Sequence, residues 1–174
     1  MGYDLTDQNH TILHEMGHLL AAIKYDFYVQ TLWVRQKGKP PRHSFFHHGA
    51  LGGVGVLGDG WGDIVCTLAG AAVDRHQKML DIGTENDLLD AHEQTTRMSQ
   101  SPWAAQDFAE IGCTVGDVDL AYRQCWETAQ KLVNTNWQAI EWGAAEFTHQ
   151  MNIDGSIRGA KLRNLMYDMR ELMR

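Results

Sequence analysis

The spacing of apolar and polar residues along the chain predicts a mainly α-helical protein with a small β-sheet. Apolar residues recur every three or four positions from residue 7 to about residue 26, which is the period of an amphipathic helix. Residues 28–34 alternate and are rich in β-branched and aromatic types, which predicts a strand. A second short strand is expected around residues 53–57. The pattern therefore favours an α+β fold with a small sheet beside the first helix.

Helical spacing returns after a glycine-rich loop and predicts five further helices. They cover residues 63–80, 84–98, 102–111, about 117–150 and 161–173. Thr84 is of a residue type that caps helix N-termini, and either Asp117 or Asp119 could open the fourth of these helices. The chain has no internal repeat. We predict a single domain over residues 1–174, with a candidate metal site in residues 1–115 and C-terminal helices in residues 116–174.

Composition and charge limit the classes of partner. The formal net charge of −7 argues against a nucleic-acid partner, whose binding needs a basic patch. No apolar run approaches the roughly 20 residues that span a bilayer, so we predict no membrane span. Cys66, Cys113 and Cys125 form no C-x-x-C pair, which is typical of reduced thiols in a cytoplasmic protein.

The segment His14-Glu15-Met16-Gly17-His18 fits the metallopeptidase pattern H-E-x-x-H. Residues four apart lie on one face of a helix, so the two imidazoles could bind one cation about 2.0–2.1 Å away. Imidazole suits zinc, and a catalytic zinc takes three protein ligands and a water. Glu15 could take the proton of this water and pass it to the leaving amine. The glycine could admit a sheet edge or a substrate close to the helix.

The third metal ligand must come from another segment. The extended metzincin motif needs glycine at position 21 and histidine at position 24, where this chain has Ala21 and Lys24. Local chemistry leaves several downstream candidates open: Asp74, His76, Glu85, Asp87, His92 and Glu93. Asp87 is equally consistent with capping the helix that Thr84 begins, and Asp74 with the polar outer face of its helix.

Three segments in order resemble the protease domain of the FtsH family (peptidase family M41). Residues 14–20 (HEMGHLL) resemble HEAGHA, residues 68–74 (LAGAAVD) resemble GGRxAEE, and residues 83–91 (GTENDLLDA) resemble GASNDxxxAT. Residues 121–165 resemble the final helices of that family, so the resemblance extends over nearly the whole chain.

This resemblance implies an FtsH peptidase-domain-like helical bundle with zinc endopeptidase activity. The third ligand would be Asp87, and Asp74 would orient a ligand histidine without binding the metal. The strand at residues 30–35 would lie beside the active site and could bind an extended substrate as an added strand. The candidate substrate-binding residues are Thr31, Leu32, Trp33 and Val34.

The sequence departs from the family in ways that affect the predicted function. FtsH proteins carry a membrane anchor and an AAA ATPase domain before the protease, and this sequence has neither, nor a P-loop. We therefore predict ATP-independent hydrolysis of unstructured polypeptides, with a separate ATPase as a further candidate partner. Trp126, Trp137 and Trp142 are interpreted as core residues or contacts of a homo-oligomer. The alternative function is a non-catalytic, zinc-stabilised interaction module, which would have no use for Glu15 as a base.

Two other features are interpreted without a catalytic role. Residues 53–58 fit the dinucleotide pattern G-x-G-x-x-G, but no βαβ unit surrounds them, so we expect a flexible loop over the cleft. His43, His47 and His48 are interpreted as residues of a surface loop.

Overall fold

The structure is a computed structural model that describes residues 5–34, 52–57, 60–80 and 82–174. Within this part the chain forms seven helices and three strands, which confirms a mainly α-helical α+β fold. The helices are α1 (Leu5–Lys24), α2 (Gly60–Gln77), α3 (Ile82–Ser99), α4 (Ala104–Glu110), α5 (Val118–Thr135), α6 (Trp137–Gln150) and α7 (Gly159–Leu172). The strands are β1 (Tyr28–Val34), β2 (Gly52–Leu57) and β3 (Ser156–Arg158).

The sheet has the order β2-β1-β3, and both strand pairs are antiparallel. Strand β1 has the predicted bounds and lies in the middle: Leu32 pairs with Val54 on one side and Ile157 on the other. The glycine-rich segment forms β2, which confirms the second strand expected around residues 53–57 and shows that the expectation of a flexible loop there is wrong. Its antiparallel pairing differs from the parallel strands of a dinucleotide site. Sequence reasoning missed β3, because three residues are too few to show alternation.

Helix α1 lies at the centre of the fold, in contact with α2, α6, α7 and the sheet. Met16, Leu19 and Leu20 are fully buried as a result. One cluster of buried residues extends from Ile12 on α1 to Met169 on α7, so the C-terminal helices share a core with the helix that carries H-E-x-x-H. The three tryptophans singled out in the sequence are partly buried and pack against this cluster: Trp126, Trp137 and Trp142.

A glycine lets α1 and α2 approach closely. A Cβ atom on Gly17 would lie 2.5 Å from the backbone oxygen of Ala69 and 2.7 Å from Cγ2 of Val73. Real Cβ contacts are essentially never this short, so this position excludes any side chain. The expectation that Gly17 admits a sheet edge or a substrate is therefore wrong, because the residue faces α2.

The long helix predicted for residues 117–150 is interrupted at Asn136. This residue has φ −115° and ψ 25°, and it separates α5 from α6. Its side-chain Nδ2 donates a hydrogen bond of 2.9 Å to the backbone oxygen of Leu132. Asparagine side chains compete for backbone groups in this way, and the hydrophobic period alone does not reveal the break.

Three further expectations concern membranes, cysteines and the histidine-rich loop. Among the described helices, none has the length and apolar character needed to cross a membrane. Cys66, Cys113 and Cys125 are free and buried. His43, His47 and His48, which were predicted to lie in a surface loop, fall outside the residues that the structure describes.

Replacing Gly17 with alanine should lower the free energy of unfolding by about 1–3 kcal/mol, because the new methyl group would press on the backbone of α2. Gly116→Ala is a matched control, since a Cβ atom there would have no neighbour within 4 Å. Urea denaturation followed by circular dichroism measures both. Equal stability of the two variants would contradict the close packing of α1 on α2.

Candidate metal centre

His14 and His18 lie one turn apart on α1, and their Nε2 atoms are 3.1 Å apart. Nδ1 of His14 donates a hydrogen bond of 2.8 Å to Oδ2 of Asp74, and Nδ1 of His18 donates one of 2.7 Å to the backbone oxygen of Cys66. A carboxylate and a backbone carbonyl only accept, so these contacts assign the proton of each ring to Nδ1. The lone pairs of both Nε2 atoms are therefore directed into one shared space.

Asp87 on α3 completes the group. Its Oδ2 lies 3.1 Å from Nε2 of His14 and 3.5 Å from Nε2 of His18. Ligand atoms of a tetrahedral zinc site, each about 2.0–2.1 Å from the metal, lie about 3.3–3.4 Å from one another. The three observed separations bracket this value. These side chains could therefore hold a metal ion.

The charges of His14, His18 and Asp87 also favour a cation between them. Two imidazole lone pairs and a carboxylate repel one another at these distances, and all three residues are largely shielded from water. Burial by itself lowers the pKa of His14, but hydrogen bonds with Asp74 and Asp87 outweigh it and raise that pKa well above its usual value. Burial lowers the pKa of His18. One positive charge, a proton on His14 or a metal ion, thus belongs between these atoms.

Gly70 on α2 provides the space for that charge. A Cβ atom there would lie 2.5 Å from Nε2 of His18 and 2.6 Å from Nε2 of His14. Any side chain at this position would occupy the space beside both Nε2 atoms. Sequence reasoning did not assign a role to Gly70. The signal was a glycine inside a predicted helix, where glycine lowers stability by about 0.5–1 kcal/mol relative to alanine.

Asp74 on α2 is fully buried behind His14. Its Oδ2 accepts the hydrogen bond from His14 and a second one, of 2.7 Å, from Oγ1 of Thr84. The carboxylate thus holds the His14 ring without being part of the metal-binding group, which is the contact that the resemblance implies. Thr84 was predicted to be an N-cap, but α3 begins two residues earlier at Ile82, so Thr84 lies within the helix.

The start of α3 argues against the capping interpretation of Asp87. A capping carboxylate satisfies backbone N–H groups of the first turn, and Asp87 lies beyond the first turn of a helix that begins at Ile82. Its carboxylate instead lies against the two histidines of α1. The remaining candidates from the sequence lie outside this group: His76, Glu85, His92 and Glu93.

Glu15 is 2% exposed and follows His14 directly in the sequence. Burial raises the pKa of its carboxyl group to about 8, the charge of His14 lowers it, and the charges of Asp87 and Asp74 raise it further. Oε2 of Glu15 makes no hydrogen bond to the residues that the structure describes. A buried carboxyl oxygen without a partner is uncommon and costly, and such groups cluster at functional sites.

The predicted substrate-binding residues do not suit that role. Residues 31–33 of β1 already pair with β2 on one side and β3 on the other, so Thr31, Leu32 and Trp33 cannot receive a substrate as an added strand. Leu32, Trp33 and Val34 are also buried, and the backbone N–H of Val34 donates to the oxygen of Gly155. The expectation that a substrate adds to β1 as a strand is wrong, because local pattern does not reveal which strand is central. Among the three strands that the structure describes, β2 and β3 are the outer ones.

Comparison with known proteins adds no identification. No protein-family model matches the sequence, and a search of curated proteins found no match. The resemblance to the FtsH family stays a prediction, and the function has to be argued from the geometry of the site.

Gly70→Ala should abolish or strongly weaken metal binding, because the methyl group would lie within contact distance of both Nε2 atoms. Gly116→Ala again serves as the control, with unchanged binding. Zinc competition against a fluorescent chelator measures both. Wild-type affinity in Gly70→Ala would show that the metal does not bind beside this glycine.

Asp87→Ala should lose most of its metal affinity, whereas Asp74→Ala should lose about 10–100-fold, as is usual when a ligand histidine loses its acceptor. Isothermal titration with zinc compares the two proteins. If Asp87→Ala retains full occupancy and loses only about 1 kcal/mol of stability, Asp87 acts as a helix cap and not as a ligand.

Proposed function

We propose that this chain is a zinc-dependent endopeptidase. The observation that carries the proposal is a set of three convergent side chains that could hold a metal ion, His14, His18 and Asp87, beside the buried carboxyl group of Glu15. Structural zinc sites usually have four protein ligands, whereas catalytic sites have three and leave the fourth position for water. Among the described residues the group contains three members, which supports a catalytic site.

The donor atoms favour zinc over other common metals. Two imidazole nitrogens and one carboxylate oxygen suit Zn²⁺, while Mg²⁺ and Ca²⁺ prefer sites made of oxygen atoms alone. The thiol of Cys66 donates its S–H to the backbone oxygen of His18 at 3.3 Å and lies outside the set of candidate ligands. The separations of 3.1 and 3.5 Å between ligand atoms also match the short bonds of a tetrahedral zinc site.

The residues around the site would divide the chemistry of peptide hydrolysis. Zinc, when bound, supplies a Lewis acid and lowers the pKa of a water molecule to about 7. Glu15 would accept a proton from the attacking water and donate it to the leaving amine. Without a metal, the pKa of Glu15 is about 8. A nearby positive charge lowers the pKa of a carboxyl group and keeps it a carboxylate at neutral pH.

The proposed substrate is an unstructured polypeptide. A metallopeptidase cleft needs roughly six or more extended residues, and a folded protein offers such a segment only by local unfolding. The chain contains no P-loop, so we propose cleavage that is independent of ATP. The outer edge of β2 or β3 would have to supply any added-strand pairing, since β1 is occupied on both sides. A homo-oligomer and a separate ATPase are further proposals for partners.

The wild-type chain should contain about one zinc ion and degrade casein without ATP, and it should leave a stably folded domain intact. Glu15→Gln should keep the zinc and lose at least about 10²–10⁴-fold in casein hydrolysis, because the amide cannot accept the proton of water. Elemental analysis and a fluorescent casein assay, each with and without ATP, make the comparison.

The outcomes separate the candidate functions. A wild-type protein without zinc would refute the proposal. Zinc in the wild type without hydrolysis of any unstructured polypeptide would support the non-catalytic module instead. Casein cleavage by Glu15→Gln at the wild-type rate would exclude Glu15 as the base.

A further inference from the structure

His10 lies one turn before His14 on α1 and is 7% exposed. Its Nδ1 is 3.0 Å from Oε1 of Gln77, the last residue of α2. Its Nε2 is 3.2 Å from Oδ1 of Asp74, within ion-pair distance when the ring is protonated but without the alignment of a hydrogen bond. Both ring nitrogens are therefore directed towards α2, and neither takes part in the metal-binding group.

The contacts of His10 complete the surroundings of Asp74. Oδ2 of this carboxylate accepts hydrogen bonds from His14 and Thr84, while Oδ1 faces His10. The carboxylate is fully buried, and such a group is stable only when donors or positive charge surround both oxygens. His10 lies against the oxygen that His14 does not use, and a protonated His10 ring would place positive charge 3.2 Å from it.

This arrangement fixes the rotation of the carboxylate. A partial rotation of the carboxylate about its Cβ–Cγ bond would lengthen the contacts of Oδ2 with His14 and Thr84 and the contact of Oδ1 with His10. Oδ2 therefore stays 2.8 Å from Nδ1 of His14, which keeps Nε2 of that ring directed at Asp87 and His18. Such partners of ligand histidines commonly set metal affinity.

We infer that His10 is a positioning residue of the metal centre: it holds Asp74 and, through Asp74, fixes the ring of His14. The inference rests on the proposed zinc site but is independent of any peptidase activity. Its consequence is that the functional motif of this chain begins one turn before H-E-x-x-H, as three histidines spaced four residues apart.

Three variants of the full chain test the role. His10→Leu removes both contacts, His10→Gln places an N–H donor near the position of Nε2, and His10→Asn places its amide near Nδ1, out of reach of Asp74. His76→Leu is the matched control, because His76 lies on α2 but contacts Asn134 and Trp137 instead. The measurements are zinc affinity by chelator competition, the visible absorption of the Co²⁺-substituted protein, and the unfolding midpoint in the presence of chelator.

We expect His10→Leu and His10→Asn to bind zinc about tenfold more weakly and to shift the Co²⁺ absorption bands. His10→Gln and His76→Leu should match the wild type in both. If His10→Leu fails to fold, the comparison of His10→Gln with His10→Asn decides.

Equal zinc affinity of the Gln and Asn variants, or tighter binding by the Asn variant, would overturn the inference. A lower unfolding midpoint with unchanged affinity and Co²⁺ spectrum would also overturn it, since that is the signature of a merely structural histidine. A wild-type protein that binds no zinc would instead refute the proposed function, on which the inference depends.

Discussion

Close contact between α1 and α2 is the constraint on which the rest of the structure depends. At Gly17 the backbone of α2 lies so near to α1 that no side chain fits, and at Gly70 the histidine rings of α1 occupy the space of the missing side chain. One turn further along α2, Asp74 reaches Nδ1 of His14. The contact that packs the core therefore also directs the Nε2 atoms of His14 and His18, and a change that separates the two helices would disturb both the core and the candidate metal centre.

The same contact concentrates charge in the interior. Glu15, Asp74 and Asp87 are all nearly or fully buried, within one region that also contains His14 and His18. Burying several carboxylates is costly unless donors and positive charge compensate them. A divalent cation would provide that compensation, so binding of the metal and stability of the fold are expected to be coupled. Metal binding would then stabilise the folded protein, and unfolding would release the metal.

Sequence reasoning predicted the parts that local pattern controls. The period of apolar residues was sufficient for α1 and β1, and the spacing of His14 and His18 placed both rings on one face. Asp87 was singled out only by resemblance, because local chemistry left six candidates open. The roles of Gly70 and His10 depend on which turn of α2 faces α1, and the pairing of both edges of β1 depends on β3, far along the chain. A short window of sequence does not contain the information that would predict such long-range contacts.

The pairing of β1 with β3 has a consequence for how the chain folds. The residues that would bind the metal are complete by α3, whereas the second neighbour of β1 comes only after α6. During synthesis, β1 would therefore expose an open edge while α4, α5 and α6 are being made. Open strand edges of this kind are sites of aggregation. Occupancy of the site in the nascent chain would hold α1, α2 and α3 together during that interval, so availability of the metal would influence the yield of folded protein and not only its activity.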